Sequence, residues 1–172
     1  MSRKVFVFAS VLTLLFFTSC LKNKDTGGNV CTYDTCATKA PASEIQALQS
    51  YLTSQGITNA VQHCSGVYYT VFAPGTGAAI TPCSAIVATY TGRFTNGNTF
   101  DQGTFQQYIA LQQLVKGWTN TIPMLKVGGK IKLYIPPSLG YGSQDRTDNR
   151  GNVVIPGNSI LVFDVEVIAA VQ

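Results

Sequence analysis

The chain has 172 residues and a mass of 18.4 kDa, enough for one domain, and its 45% hydrophobic content excludes a disordered polymer. Only 12% of residues are charged, and 12 Lys+Arg against 8 Asp+Glu give a net +4 too thin for a nucleic-acid-binding stripe. The single histidine, His63, excludes any site that needs two imidazoles.

In chain order, Arg3 and Lys4 form a basic start, and Val5 to Phe17 is an apolar run broken only by Ser10 and Thr13. That run is shorter than the roughly 20 residues a membrane-spanning helix needs, so residues 1–19 read as a secretory signal peptide. The run ends at Thr18-Ser19-Cys20, small residues before a cysteine, which resembles a bacterial lipobox with cleavage before Cys20 and lipidation of its thiol. Residues 20–42 are rich in Asn, Thr, Gly and Lys without an apolar period and read as a lipid-anchored tether. Residues 43–82 form an N-terminal helix and strand. Ser43-Glu44-Ile45-Gln46 predicts a capping box, Ile45, Leu48 and Leu52 a buried stripe, and Gly56 the helix end. Gly66 to Phe72 predicts the strand, closed by Ala73-Pro74-Gly75.

Strand signals then crowd together: Ile86 to Tyr90, Thr99-Phe100, Phe105 to Ala110, Lys130 to Ile135 and Ser159 to Ile168. Asn96-Gly97 is the strongest hairpin turn in the chain. A short helix is expected after Gly117-Trp118, limited by Pro123. Strands dominating around one short helix predict an α+β domain with an antiparallel sheet.

Export changes the reading of the cysteines. Cys31, Cys36, Cys64 and Cys83 make an even set in an oxidising compartment, which favours disulfides over zinc ligation with His63. The spacings also do not show the paired arrangement of structural zinc modules. Three connectivities are open. Cys31 and Cys36 are close enough for a local loop, and Cys64 and Cys83 flank one predicted strand.

The distinctive residues are Tyr90-Thr91-Gly92, Phe100-Asp101, Val115-Lys116-Gly117-Trp118, Val127-Gly128-Gly129-Lys130, Tyr141-Gly142, Ile155-Pro156 and Leu161 to Glu166. Each alone is weak. Together, in this order, they make residues 83–172 resemble an FKBP-type peptidyl-prolyl cis-trans isomerase domain, and the helix and strand before it resemble extensions of exported bacterial members. The resemblance implies a curved antiparallel sheet wrapped around a short helix. It implies Tyr90, Asp101, Trp118 and Tyr141 as catalytic residues, with Trp118 as the floor under the proline ring. Phe100, Phe105, Leu114, Val115, Ile155 and Phe163 would bind substrate. The Val115 N–H and the Tyr141 hydroxyl would donate to substrate carbonyls. Gln144 to Asn152 lengthens the loop between Tyr141 and Ile155, which implies an altered flap over the residue before proline.

The chemistry suits this residue mix. Twisting an X–Pro amide sacrifices resonance against a barrier of about 20 kcal/mol, but it breaks no bond and needs no nucleophile. The resemblance implies no cofactor, no metal and no nucleic acid, with a monomer acting on Pro-containing polypeptides. The expected location is the bacterial cell envelope, lipid-anchored and facing the periplasm. The competing function is a non-catalytic binding module or chaperone for Pro-containing segments, which would use the same pocket.

Overall fold

The computed structural model describes residues 31–172; the segment expected to be a signal peptide, most of the expected tether and the Cys20 boundary lie outside the described residues. The first element, helix α1 (Ala42–Ser54), starts one residue before the predicted capping box. Pro41 stands at the N-cap with φ −56°, so the proline ring sets the entry and Ser43 falls inside the first turn, capping nothing. The Glu44 carboxylate turns outward instead and accepts hydrogen bonds from the N–H and hydroxyl of Ser138 at 2.9 and 2.7 Å. The helix end follows expectation. Gly56 adopts φ +65°, while its N–H bonds the Thr53 carbonyl and the Ile57 N–H bonds that of Leu52. This double closure needs a left-handed residue, which glycine provides without a Cβ penalty.

The strands are β1 (Val61–Gln62), β2 (Tyr68–Ala73), β3 (Ala85–Phe94), β4 (Thr99–Thr104), β5 (Ile109–Ala110), β6 (Lys130–Ile135), β7 (Arg146–Thr147), β8 (Val153–Ile155) and β9 (Leu161–Val171). The main sheet runs β1-β2-β6-β9-β3-β4, with β5 on the far half of β3, and every pairing is antiparallel. Register shifts in β2, β3 and the β3–β4 pairing mark bulges, which bend and twist a sheet. Asn96-Gly97 turns β3 into β4 as expected, with Gly97 at φ +88°. The expected strand from Phe105 to Ala110 shrinks to Ile109–Ala110, because Gln106 and Gln107 bend away exposed while Phe105 turns toward the core.

The two faces of the sheet follow the strand period of two. Ile131, Leu133 and Ile135 of β6 alternate with Leu161, Phe163, Val165 and Val167 of β9 on the inner face, all buried. Helix α2 (Lys116–Thr121) lies on that face, followed by a 3-10 turn at Ile122–Met124 that includes Pro123. A Cβ on Gly117 would stand 2.7 Å from the Ile135 side chain, so only glycine lets α2 approach β6 this closely. On the outer face, α1 lays Leu48 and Leu52 over Tyr68, Tyr134 and Val162. The rest of that face carries ion pairs: Asp164 with Arg93 (2.6 Å) and Lys132 (2.8 Å), and Glu166 with Lys130 (3.0 Å). These exposed pairs contribute little stability, and their alternation with the buried inner residues fixes the register.

Cys31, Cys36, Cys64 and Cys83 are all paired, in one of the three connectivities left open but through neither of the two bridges named from chain position: Cys31 bonds Cys83 and Cys36 bonds Cys64, with Cα separations of 5.7 and 5.4 Å. A turn at Asp34, whose carboxylate accepts from the Cys36 N–H at 2.8 Å, sends Cys31 and Cys36 to different places. Between Cys64 and Cys83 runs β2, six extended residues spanning about 20 Å, and each of these two cysteines pairs instead with one from the segment ahead of α1. His63 stands 3.6 Å from the Cys64 sulfur, yet both sulfurs of that cluster are spent on each other. Since β1 and β2 pair into the same sheet as the later strands, Cys31–Gln172 packs as one unit.

Candidate active site

The inner face of the sheet is incompletely covered beside α2, leaving a half-open pocket of about 380 Å³. Trp118, on α2 and only 3% exposed, is its base, and its Nε1–H has no acceptor among the described residues. Around the indole stand Phe163 from β9, perpendicular at a centroid distance of 5.4 Å, Tyr90 from β3, edge-on at 5.7 Å, and Phe105 at 6.1 Å. Such T-shaped and tilted contacts are the favoured aromatic geometries, so the walls are fixed by their own packing. Leu114 and Val115 supply the aliphatic edge just ahead of α2, and Tyr141 and Gly140 close the opposite side.

Apart from the indole N–H, the polar side chains sit at the mouth. The Tyr90 hydroxyl donates to Asp101 Oδ2 at 2.8 Å. Burial, then the hydrogen bond and charge of Asp101, push the Tyr90 pKa up to about 12. Tyr141 is also raised, chiefly by burial and then by Asp101, with Arg146 pulling the other way. The Tyr141 hydroxyl has no hydrogen-bond partner among the described residues, although its ring lies under the Arg146 guanidinium, 5.7 Å from the centroid. The Val115 N–H is likewise without an acceptor among the described residues. The pocket therefore offers two uncommitted donors at the edge of an apolar bowl. Its lining includes no serine, cysteine or histidine among the described residues.

Tyr90, Asp101, Phe105, Leu114, Val115, Trp118, Tyr141 and Phe163 all line one cavity. Two expected wall residues do not. Phe100 packs behind the wall, perpendicular to Phe163 at 5.5 Å and against Phe94 at 5.0 Å. It lies there because Gly92 leaves room: a Cβ at that position would meet the Phe100 ring at 2.6 Å and the Phe163 ring at 2.8 Å. Ile155, at the end of β8, is buried in the inner core rather than in the pocket lining. Gln113, Lys116 and Arg146 line the mouth and were missed. Lys116 lies inside Val115-Lys116-Gly117-Trp118 and Arg146 inside the lengthened loop, so their positive charge was the available signal.

The antiparallel sheet thus carries an indole-floored aromatic pocket on its inner face, with the size and apolar walls to suit a compact apolar ring. The profile of the FKBP-type peptidyl-prolyl cis-trans isomerase family matches residues 77–168, more than half of the chain. The chain belongs to that family. It is 38% identical over 107 residues to a probable FKBP-type peptidyl-prolyl cis-trans isomerase of Haemophilus influenzae, covering 60% of this chain and 42% of that relative. It is 49% identical over 84 residues to FK506-binding protein 2 of Dictyostelium discoideum, covering 46% of this chain and 59% of that relative. Among solved structures, a peptidyl-prolyl cis-trans isomerase of Pseudomonas syringae superposes with a TM-score of 0.64 at 28% identity over 78% of this chain and 99% of that one. FkpA of Escherichia coli gives 0.62 at 31% identity, over 75% of this chain and 60% of that one. The chain thus spans between about two fifths and three fifths of these curated relatives.

Proposed function

We propose that this chain is a peptidyl-prolyl cis-trans isomerase acting on exported polypeptides. One observation carries the reading: the buried Trp118 indole lies at the base of a bowl walled by Tyr90, Phe105 and Phe163, with the Tyr141 hydroxyl, unpartnered among the described residues, at its lip. A proline ring seated on the indole leaves its preceding amide at the mouth. A twisted amide is less dipolar than a planar one, so an apolar, water-poor setting disfavours the planar ground state relative to the transition state. The Tyr141 hydroxyl and Val115 N–H then hold substrate carbonyls, and Asp101, steadied by Tyr90, is the carboxylate at the edge. No proton moves in the chemical step. Family membership and the solved isomerases it resembles support this reading. The test is refolding of a substrate protein limited by proline isomerisation, with wild type and a Trp118→Ala variant whose fold is checked by circular dichroism. Acceleration lost in the folded variant is expected. Peptide binding without acceleration by wild type would assign the non-catalytic reading instead.

The two disulfides fit an exported protein. The same proposal has the chain lipidated at Cys20 and held on a membrane of the cell envelope, for which the small residues before that cysteine are the support. Mass spectrometry of the native N-terminus should find an acylated Cys20, and an unmodified chain starting elsewhere would refute it.

A further inference from the structure

The mouth of the pocket carries two cations that nothing in the isomerase reading uses. Lys116 follows Val115 on one side, and Arg146 projects from β7 over the Tyr141 ring on the other. Among the described residues the ion pairs all lie on the outer face of the sheet, between Asp164 or Glu166 and Arg93, Lys130 or Lys132. Neither Lys116 nor Arg146 takes part in them. The carboxylates near Arg146 in sequence are engaged elsewhere: Asp145 accepts from the Gly157 N–H at 2.7 Å, and Asp148 accepts from the N–H groups of Arg150 and Asn152 and from the Asn152 amide. Asp101, the single carboxylate of the lining, is held by the Tyr90 hydroxyl. The balance at the mouth is two cations against one engaged anion.

We propose, on the basis of the isomerase reading, that Arg146 and Lys116 form a cationic rim that selects substrates carrying a carboxylate on a residue next to the proline. Stacking on Tyr141 restrains the guanidinium beforehand, and its planar fork matches a carboxylate better than an ammonium does. A recessed mouth with apolar walls concentrates the field of these charges on a docking peptide. The substrate class is therefore acidic prolyl segments, with Asp or Glu adjoining the proline.

The experiment compares isosteric peptides, Glu-Pro against Gln-Pro and Pro-Glu against Pro-Gln, in otherwise identical sequences. Isomerisation is read by NMR exchange, which avoids a coupling protease with charge preferences of its own. The expected kcat/KM is about two- to five-fold higher for Glu in at least one pair, the scale of a single partly exposed ion pair. The ratio should fall toward one in 1 M salt, where the screening length is about 3 Å. It should also fall toward one in Arg146→Gln/Lys116→Gln, while Lys126→Gln, which removes an equal charge outside the lining, should keep it. Ratios at or below one in both pairs overturn the proposal, as does a preference that survives the double substitution. Should turnover be missing for all four peptides, the isomerase reading fails separately. Dissociation constants from the fluorescence of Trp118, the single tryptophan, then decide charge selection by the same ratios.

Discussion

Replacing Tyr141 by Phe separates catalysis from folding more cleanly than any other change in this pocket. The substitution removes one oxygen and leaves the ring, so the packing beside Gly140 and the stacked Arg146 guanidinium keep their partner. Because the hydroxyl has no hydrogen-bond partner among the described residues, the folded protein gives up no internal bond. The unfolding free energy should stay within about 0.5 kcal/mol of wild type, the usual range for changes away from core and network positions. If the hydroxyl donates to a substrate carbonyl, the transition state loses one hydrogen bond worth about 0.5–1.5 kcal/mol. At about 1.4 kcal/mol per tenfold, that is a fall in kcat/KM of roughly two- to twelvefold. Exchange NMR on a short prolyl peptide reads the rate, and urea unfolding of the same preparation reads stability. Unchanged turnover would refute the assigned role of the hydroxyl. So would a thousandfold loss, since that would mark Tyr141 as an acid or base. Equal losses in rate and stability would show the effect to be structural.

Phe100→Ala should cost about 2–3 kcal/mol of stability, less than the 3–5 of a fully buried Phe because the ring is only half-buried, while Phe105→Ala should chiefly raise KM; denaturant unfolding beside peptide kinetics checks the ordering, and the reverse would put Phe100 back in the wall. Serine at both Cys31 and Cys83 opens a span of 52 residues that the intact Cys36–Cys64 bridge shortens by 28, and should cost about 3.5 kcal/mol by chain entropy, so a loss below about 1 kcal/mol in urea would refute that account. With the folded-state pKa of Tyr90 raised from 10.0 to about 12, its contribution to stability is full below pH 10 and lost as pH rises toward 12. Tyr90→Phe should accordingly flatten the fall in unfolding free energy across that window, and an unchanged slope would sink the assignment.

The fold was legible wherever local chemistry and long-range packing agree. Asn96-Gly97 turns the chain by itself, and alternation in Lys130–Ile135 and Leu161–Val167 sorts the residues onto two faces without further information. The pocket was legible because Tyr90, Trp118 and Tyr141 stand in motifs whose glycines have steric duties, as Gly92 and Gly117 show. What stayed hidden depends on distances through space. Disulfide pairing is set by where β2 carries the chain, not by the spacing of cysteines along it. Phe100 and Ile155 carry the same apolar label as true wall residues, and only packing tells the second layer from the first. The capping box failed because Pro41 imposed its own φ one step earlier, freeing Glu44 to reach Ser138, a partner 94 positions away.

The bridge between Cys31 and Cys83 also decides what happens when the chain is pulled from its upstream side. Tension arriving at Cys31 leaves the main chain there, crosses the sulfurs and re-enters at Cys83, two residues before β3. Helix α1, β1 and β2 lie on the bypassed segment and stay slack. The load falls on β3, which pairs with β9 along ten residues, from Ala85 opposite Val171 to Phe94 opposite Leu161. With the bridge reduced, the same pull would be carried by the 36–64 bond and then by β2, which lies between the two-residue β1 and β6.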